Sequence, residues 1–171
     1  MIDLVKNYGN QILSKIPQHR KDTALLQLFS FTKIPLLFAL RPKVLHMDDQ
    51  RCQLMIPLTK MSKNHLGAMY FAALAAGADT AGGVAAMREI QKSGKNVALV
   101  FADFHAEFLQ RAEADVVFTC DEVEQVRNLV FKTIESKQRE NFTFSVIAHC
   151  PSLSEDPVAR FKLTLSLKCR D

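Results

Sequence analysis

The stretch from Ala68 to Met87 constrains the fold more than any other part of this chain. It is long enough for about five helical turns. Four of the six glycines in the protein fall between Gly67 and Gly83, and alanine fills most of the positions between them. A glycine inside a helix costs about 0.5–1 kcal/mol relative to alanine, so these glycines need a compensating contact. We expect close approach by another backbone, which favours a helix buried beneath a tightly curled sheet.

One carboxylate, that of Asp79, lies in the middle of this apolar helix. A buried charge without a partner is costly, so the side chain must line a polar cleft, pair with Arg or Lys, or be protonated. Burial would raise its pKa, which suits general-base work near neutral pH. A structural role is the alternative: the carboxylate would accept backbone N–H groups across a dimer interface.

Hydrophobic periodicity predicts the remaining elements. In chain order they are helices over 2–16 and from 22 or 23 to 29, a β-hairpin with arms Val44–Met47 and Arg51–Leu58, the central helix, a strand Val97–Phe108, a strand Ala114–Cys120, a helix Glu122–Lys137, and strands Asn141–Cys150 and Val158–Lys168. In the last strand the alternation places Phe161, Leu163, Leu165 and Leu167 inward and Arg160, Lys162, Ser166 and Lys168 outward. This order predicts an α+β fold in which an antiparallel sheet wraps around one long helix. We expect one domain over residues 1–171, with a helical extension at 1–42 and the core at 43–171.

The N-terminal quarter of the chain is both basic and apolar. Residues 1–43 carry seven Lys or Arg and two Asp, a net charge of +5, against +4 for the whole protein. Such a segment can favour anionic ligands or an acidic membrane surface, although a solvated face is the more common explanation. Its apolar run Phe31–Leu40 could lie in the core, cover a ligand tunnel or touch a membrane. Lys33 and Pro35 interrupt the run, which favours core or tunnel cover.

Composition limits the cellular setting and the partners. The four cysteines are widely spaced and are typical of buried thiols in a reducing compartment. The first residues lack the apolar region of a signal peptide, and the longest apolar run is too short to cross a bilayer. We therefore expect a cytoplasmic protein without stable membrane insertion. Aromatic residues are almost all Phe, which argues against a stacking surface for nucleic acid.

The residues Asn64-His-Leu-Gly-Ala-Met-Tyr70, followed by Leu74 and Ala78-Asp-Thr-Ala-Gly-Gly83, resemble the central-helix motif of hotdog-fold thioesterases. The closest resemblance is to the DUF4442 group, which is related to phenylacetate-pathway thioesterases. It implies a hotdog fold over about residues 40–170 and a homodimer, with a dimer of dimers as a further option. It also implies hydrolysis of an acyl-CoA thioester, a small-molecule substrate, with no cofactor beyond the coenzyme A of that substrate.

The same resemblance implies roles for individual residues. Asp79 would act as general base or nucleophile, and Asn64, fifteen positions earlier, would orient water or substrate from the partner chain. Relatives usually open the helix with His-Gly-Gly, but here the corresponding positions begin at Tyr70 and Phe71. The backbone N–H of Phe71 is therefore the candidate oxyanion donor, and Gly67 is the other. These lie about 12 and 18 Å from Asp79 along a helix, so a dimer would have to complete the site.

Other residues near the motif have weaker claims. His65 is a candidate base, although a lone His at a helix start is more often a local hydrogen-bonding group. The Tyr70 hydroxyl could bond a ligand carbonyl, although packing is more common, and Asn64 could cap the helix or its lead-in turn. The histidines His46, His105 and His149 fall on separate strands without ligand spacing, so we expect no metal site.

Two rival functions remain open at this point. A non-catalytic protein that binds acyl chains or acyl-CoA would explain the missing His-Gly-Gly turn and the extra N-terminal helices. A peripheral membrane protein would use the basic, apolar residues 1–43.

Overall fold

The computed structural model describes residues 16–171, so the helix predicted over 2–16 lies outside the described residues, apart from its last residue. The elements are helix α1 (Gln18–Lys33), helix α2 (Pro35–Leu40), strands β1 (Lys43–Met47) and β2 (Cys52–Ile56), helix α3 (Phe71–Ser93), strands β3 (Val97–Phe108) and β4 (Val116–Cys120), helix α4 (Val123–Ser136), and strands β5 (Arg139–His149) and β6 (Pro157–Cys169). The predicted α+β architecture, an antiparallel sheet with a long central helix, is confirmed.

The six strands form one antiparallel sheet in the order β1-β2-β4-β5-β6-β3. The inward face of β6 is buried as predicted, at Phe161, Leu163, Leu165 and Leu167. Strand β3 is twelve residues long and pairs with β6 along one edge only. Its other edge has no strand partner among residues 16–171.

One face assignment on β6 was wrong. Ser166 was expected to point outward but is buried, because the guanidinium group of Arg139 on β5 donates a hydrogen bond to its hydroxyl at 2.9 Å. A neighbouring long side chain thus covers a position that alternation alone would leave exposed.

Two of the three glycines of α3 lie beneath phenyl rings of the sheet. A Cβ atom on Gly77 would overlap the ring of Phe118 on β4, and one on Gly82 would overlap the ring of Phe144 on β5. Both rings are fully buried. A sheet curled closely over the helix was the correct expectation, but the contact is made by side chains and not, as expected, by another backbone.

Helix α3 begins three residues later than predicted, and it ends at Ser93, where the segment Ser93–Asn96 was expected to break it. The N–H of Met69 donates to the carbonyl of Ala112 at 2.8 Å, and that of Tyr70 donates to the carbonyl of Ser62 at 2.7 Å. These bonds tie the segment to neighbouring loops and keep it out of the helix. At the other end, Gly94 terminates the helix with φ +65°, a left-handed conformation that glycine adopts without strain.

Helices α1 and α2 pack on the first strand. The N–H of Val44 on β1 donates to the Thr23 hydroxyl at 2.9 Å, and the Gln27 amide donates to the carbonyl of Pro42 at 2.7 Å. Leu26, Leu37 and Val44 form a small buried cluster between them. Helix α1 starts at Gln18, so the predicted cap at Asp22 or Thr23 was wrong: Thr23 is inside the helix and fastens it to β1.

Candidate functional site

Asp79 borders a cavity of about 370 Å³ between α3, the α1–α2 pair and the start of β3. Among residues 16–171, the polar side chains in its wall are those of Asp79, Thr80 and Gln91. The apolar lining residues are Leu26, Phe29, Ile34, Leu37, Val84, Met87, Ile90, Val97 and Leu99. A single carboxylate thus lies beside a large apolar space.

The Asp79 carboxylate has an unusual electrostatic environment. Burial raises its pKa to about 6 from an ordinary 3.8, and no hydrogen bond or neighbouring charge among the described residues contributes to that shift. The adjacent Thr80 hydroxyl donates to the carbonyl of Ala76 at 2.6 Å, so it is already engaged. Near neutral pH the carboxylate can therefore accept a proton from a ligand or a water molecule.

Gly83 leaves room beside that carboxylate. A Cβ atom at this position would lie 3.6 Å from Oδ1 of Asp79 and 3.9 Å from the ring of Phe101, which is ordinary contact. Unlike Gly77 and Gly82, this glycine is not required by packing.

Asn64 stabilises the turn that leads into α3 and does not cap the helix. Its side-chain oxygen accepts the N–H of Leu66 at 2.9 Å, and its backbone N–H donates to the carbonyl of Ala68 at 2.8 Å. Gly67 donates its N–H to the carbonyl of Asn64 at 3.1 Å and has φ +83°. The lead-in-turn role considered for Asn64 is thus present, and Gly67 serves the same turn.

The start of α3 is exposed and lies outside the cavity wall. Tyr70 and Phe71 stack edge to face with ring centroids 4.8 Å apart, and His65 is exposed. The first helical hydrogen bonds run from Ala73 and Leu74 to the carbonyl of Tyr70, which leaves the N–H of Phe71 outside them.

None of the residues proposed around Asp79 lines its cavity: Asn64, His65, Gly67, Tyr70 and Phe71 are all absent from the wall. One chain therefore does not bring the two halves of the expected site together, in agreement with the separation of about 12 Å or more along the helix.

Sequence reasoning missed the contribution of α1 to this site. Leu26 and Phe29 of α1 line the cavity. Ile34, between the two helices, and Leu37 of α2 line it as well. The apolar run Phe31–Leu40 was expected to lie in the core or to cover a tunnel. Ile34 and Leu37 line the cavity, whereas Phe31, Leu36 and Phe38 are exposed. The sequence does show apolar residues on more than one side of α1. Periodicity alone could not tell which of these sides faces a cavity.

Metal ligation is not supported by the arrangement of acidic residues, Cys and His. Within residues 16–171, no group of three such side chains is placed to hold an ion. His46 pairs with Asp48 at 2.8 Å on the surface, and His105 lies 3.9 Å from Glu107.

Comparisons with known proteins identify the fold and the family. A family model described as a domain of unknown function, DUF4442, matches residues 22–167. No curated protein matches the chain.

Solved structures match over most of the chain. A protein of unknown function from Chlorobaculum tepidum has a TM-score of 0.74 at 13% identity, over 88% of this chain and 96% of its own. A protein from Shewanella oneidensis, assigned as a thioesterase, has a TM-score of 0.72 at 14% identity, over 86% and 97%. A thioesterase from Haemophilus influenzae has a TM-score of 0.62 at 14% identity, over 85% and 88%.

At these identities the structural matches establish the fold alone, and the predicted hotdog fold is confirmed. The family model covers most of the chain, including most of α1 and all of the central helix. The chain belongs to the DUF4442 family.

Proposed function

We propose that this protein hydrolyses an acyl thioester, with an acyl-CoA as substrate and Asp79 as the general base. The observation that carries the proposal is the Asp79 carboxylate, which has no hydrogen-bond partner in the described residues and a pKa of about 6, beside an apolar cavity. Likeness in fold to proteins named as thioesterases supports the same reaction class.

The proposed reaction needs one water molecule and no cofactor. The Asp79 carboxylate removes a proton from water, and the resulting hydroxide attacks the thioester carbon. The carbon–sulfur bond breaks, and the thiolate takes the proton from Asp79 as it leaves. The products are a carboxylic acid and free coenzyme A. Direct attack by Asp79, which forms an anhydride that water then hydrolyses, is the second form of this mechanism.

The acyl group of the substrate would occupy the cavity. Nine of the side chains that line it are apolar. Burial of an alkyl chain against them is therefore favourable, roughly in proportion to the apolar area removed from water. A polar or charged acyl group would lose hydration without finding partners there. This favours an apolar acyl chain.

Stabilisation of the oxyanion would come from the start of α3. The N–H of Phe71 lies outside the helical hydrogen bonds, and a helix N-terminus carries a partial positive charge that favours an anion. The oxygen of Asn64 is occupied by Leu66, so its amide NH2 would be the group that contacts water or substrate. Tyr70, Gly67 and His65 flank these donors as substrate-binding candidates.

The proposed site requires a second copy of the chain, which would place Asn64 and Phe71 of one subunit near Asp79 of the other. Strand β3 supports such a homodimer, since a long strand with an unpaired edge is a template for pairing. Val100, Phe104 and Phe108 are exposed along it. A dimer of dimers is compatible with the same contact. A cytoplasmic setting agrees with the four free cysteines.

The test is thiol release from acyl-CoA substrates of increasing chain length. We expect Asp79→Asn to lower kcat/KM at least a hundredfold, as the loss of a general base does. Glu155→Gln is the matched control, because it removes one exposed carboxylate at a position outside the cavity wall and should leave the rate unchanged. Absence of turnover with every chain length, or equal rates for the wild type and Asp79→Asn, would contradict the proposal.

A non-catalytic acyl-chain or acyl-CoA binding protein is the second candidate. It is favoured by the absence of Gly67 and Phe71, the candidate oxyanion donors, from the cavity wall of one chain, and by Tyr70 and Phe71 at the start of α3. Thermal stabilisation by acyl ligands without turnover would identify this function.

A further inference from the structure

The outward surface of α1 and α2 carries a concentrated apolar patch. We call Leu25, Leu28, Phe31, Ile34, Leu36 and Phe38 the outer patch. These six make up a third of the exposed large hydrophobic side chains in the described part of the chain, although they span only fourteen residues. The rings of Phe31 and Phe38 contact edge to face at 5.1 Å, which joins the α1 and α2 portions into one surface.

The opposite surface of the same helices is also apolar. Leu26 and Leu37 are buried there and line the cavity that contains Asp79. A helix at the surface of a soluble domain normally presents polar residues to water. A contiguous apolar patch on the solvent side therefore marks an interaction surface.

The charges around the outer patch determine what kind of surface it fits. Five cations lie on or beside α1 and α2: Arg20, Lys21, Lys33, Arg41 and Lys43. Asp22 is the only acidic residue from 16 to 43, so the segment has a net charge of +4. Within residues 16–171, none of the five cations forms an ion pair, whereas several cations elsewhere do.

The outer patch is continuous with the cavity. Ile34 is part of the patch and also lines the cavity beside Asp79. Leu25 borders an adjoining space of about 100 Å³ that shares Leu26 and Phe29 with the main cavity. An alkyl chain that passes between α1 and α3 would meet mostly apolar side chains on the way to Asp79, with Asp22, Arg88 and Gln91 as the polar members of the adjoining space among the described residues.

We propose that α1 and α2 dock this protein on an anionic lipid bilayer, with the outer patch in the acyl boundary and the five cations at the lipid phosphates. Apolar side chains bordered by basic residues are the features that hold a helix in a bilayer interface. The docking proposed here is peripheral. No helix of the described residues is long and apolar enough to cross a membrane. Docking requires no turnover, and failure of the thioesterase proposal would leave it intact.

A tryptophan reporter tests the proposal, because the protein has no tryptophan of its own. Phe31→Trp places the only indole in the outer patch. Phe131→Trp, on an exposed residue of α4, is the matched control. With vesicles of equimolar phosphatidylcholine and phosphatidylglycerol, we expect a blue shift in the emission of Phe31→Trp and none in that of Phe131→Trp. Vesicles of phosphatidylcholine alone should produce little shift.

Two further measurements separate docking from a general effect of lipid. The shift should disappear in 1 M salt, where the Debye length falls to about 3 Å. Combining Phe31→Trp with Lys33→Gln should lower partitioning into anionic vesicles about fivefold, the effect of one cation near an anionic surface. Circular dichroism of each variant confirms that the fold is intact.

Three outcomes would overturn the proposal. One is the absence of any lipid-dependent shift in a folded Phe31→Trp protein. Another is a blue-shifted emission before vesicles are added, which would mean that residues 1–15 or a second copy already cover the patch. The third is an equal shift in both reporters.

Discussion

Gly83 lies one helical turn after Asp79 on α3, and a methyl group on Gly83 would stand 3.6 Å from Oδ1 of Asp79. The preceding residue, Gly82, lies instead under the ring of Phe144, where a methyl group has no room. Two adjacent glycines thus serve different purposes, one in packing and one in keeping space beside the carboxylate.

Alanine substitutions should separate these purposes. Gly82→Ala forces a methyl group into the buried Phe144 ring and should lower the free energy of unfolding by about 1–3 kcal/mol, the usual cost of overpacking. Gly83→Ala should raise it by about 0.5–1 kcal/mol through helix propensity, yet slow hydrolysis by crowding Asp79. Urea denaturation measures the two changes in the free energy of unfolding, and thiol release measures the rate of hydrolysis. Equal destabilisation by the two substitutions would refute the distinction.

The stability of the protein should depend on pH through Asp79. Its folded pKa of about 6 lies above the ordinary 3.8, so the folded state binds the proton more tightly than the unfolded state does. The contribution of the Asp79 carboxyl group to the free energy of unfolding is fully present below about pH 4, and it is lost as the pH rises through about 6. The difference is worth about 3 kcal/mol at about 1.4 kcal/mol per pKa unit.

Asp79→Asn should therefore stabilise the protein at pH 8 relative to the wild type, and the gain should shrink on acidification to pH 4. Thermal unfolding at several pH values measures it. A constant difference between the two proteins across this range would mean that burial does not shift this carboxyl group.

Filling the cavity should change substrate preference. Val84 lines both the main cavity and the adjoining space, and it is only partly buried. Val84→Phe should leave the hydrolysis of acetyl-CoA nearly unchanged but lower kcat/KM for long-chain acyl-CoA tenfold or more, because the added ring occupies the volume of the chain. Steady-state kinetics over a chain-length series measure it. A uniform loss over all chain lengths would place the acyl group elsewhere.

The unpaired edge of β3 should be where two subunits meet. Val100→Lys puts a charge on this exposed strand, and charged residues block edge pairing. We expect a shift from dimer to monomer in analytical ultracentrifugation, together with loss of activity. Leu153→Lys, at another exposed leucine, should leave the dimer intact. A dimer that persists in Val100→Lys would indicate a different interface.

Much of the fold could be predicted because its periodicities are strong and local. The strand Val97–Phe108 has the predicted bounds, and helix α4 differs from the prediction by one residue at each end. The start of α3 was misplaced because Met69 and Tyr70 are held by hydrogen bonds to Ala112 and Ser62, and such long-range bonds have no local sequence signal.

The candidate site was only partly accessible from the sequence. A carboxylate in an apolar helix identified Asp79, since so few environments tolerate one. The cavity wall could not be predicted. Leu26 and Val97 are far from Asp79 in the sequence, and tertiary packing alone brings them to the same cavity. The turn role of Asn64 likewise depends on a backbone geometry that the Asn–Asp spacing does not encode.

The most direct test of the central claim, that Asp79 is the base that activates water, is the pH dependence of kcat/KM for the best acyl-CoA substrate. We expect the rate to rise about tenfold per pH unit below the pKa of Asp79, near pH 6, and to level off above it. This rise should be absent from the residual rate of Asp79→Asn. An identical profile and rate in the wild type and Asp79→Asn would contradict the claim.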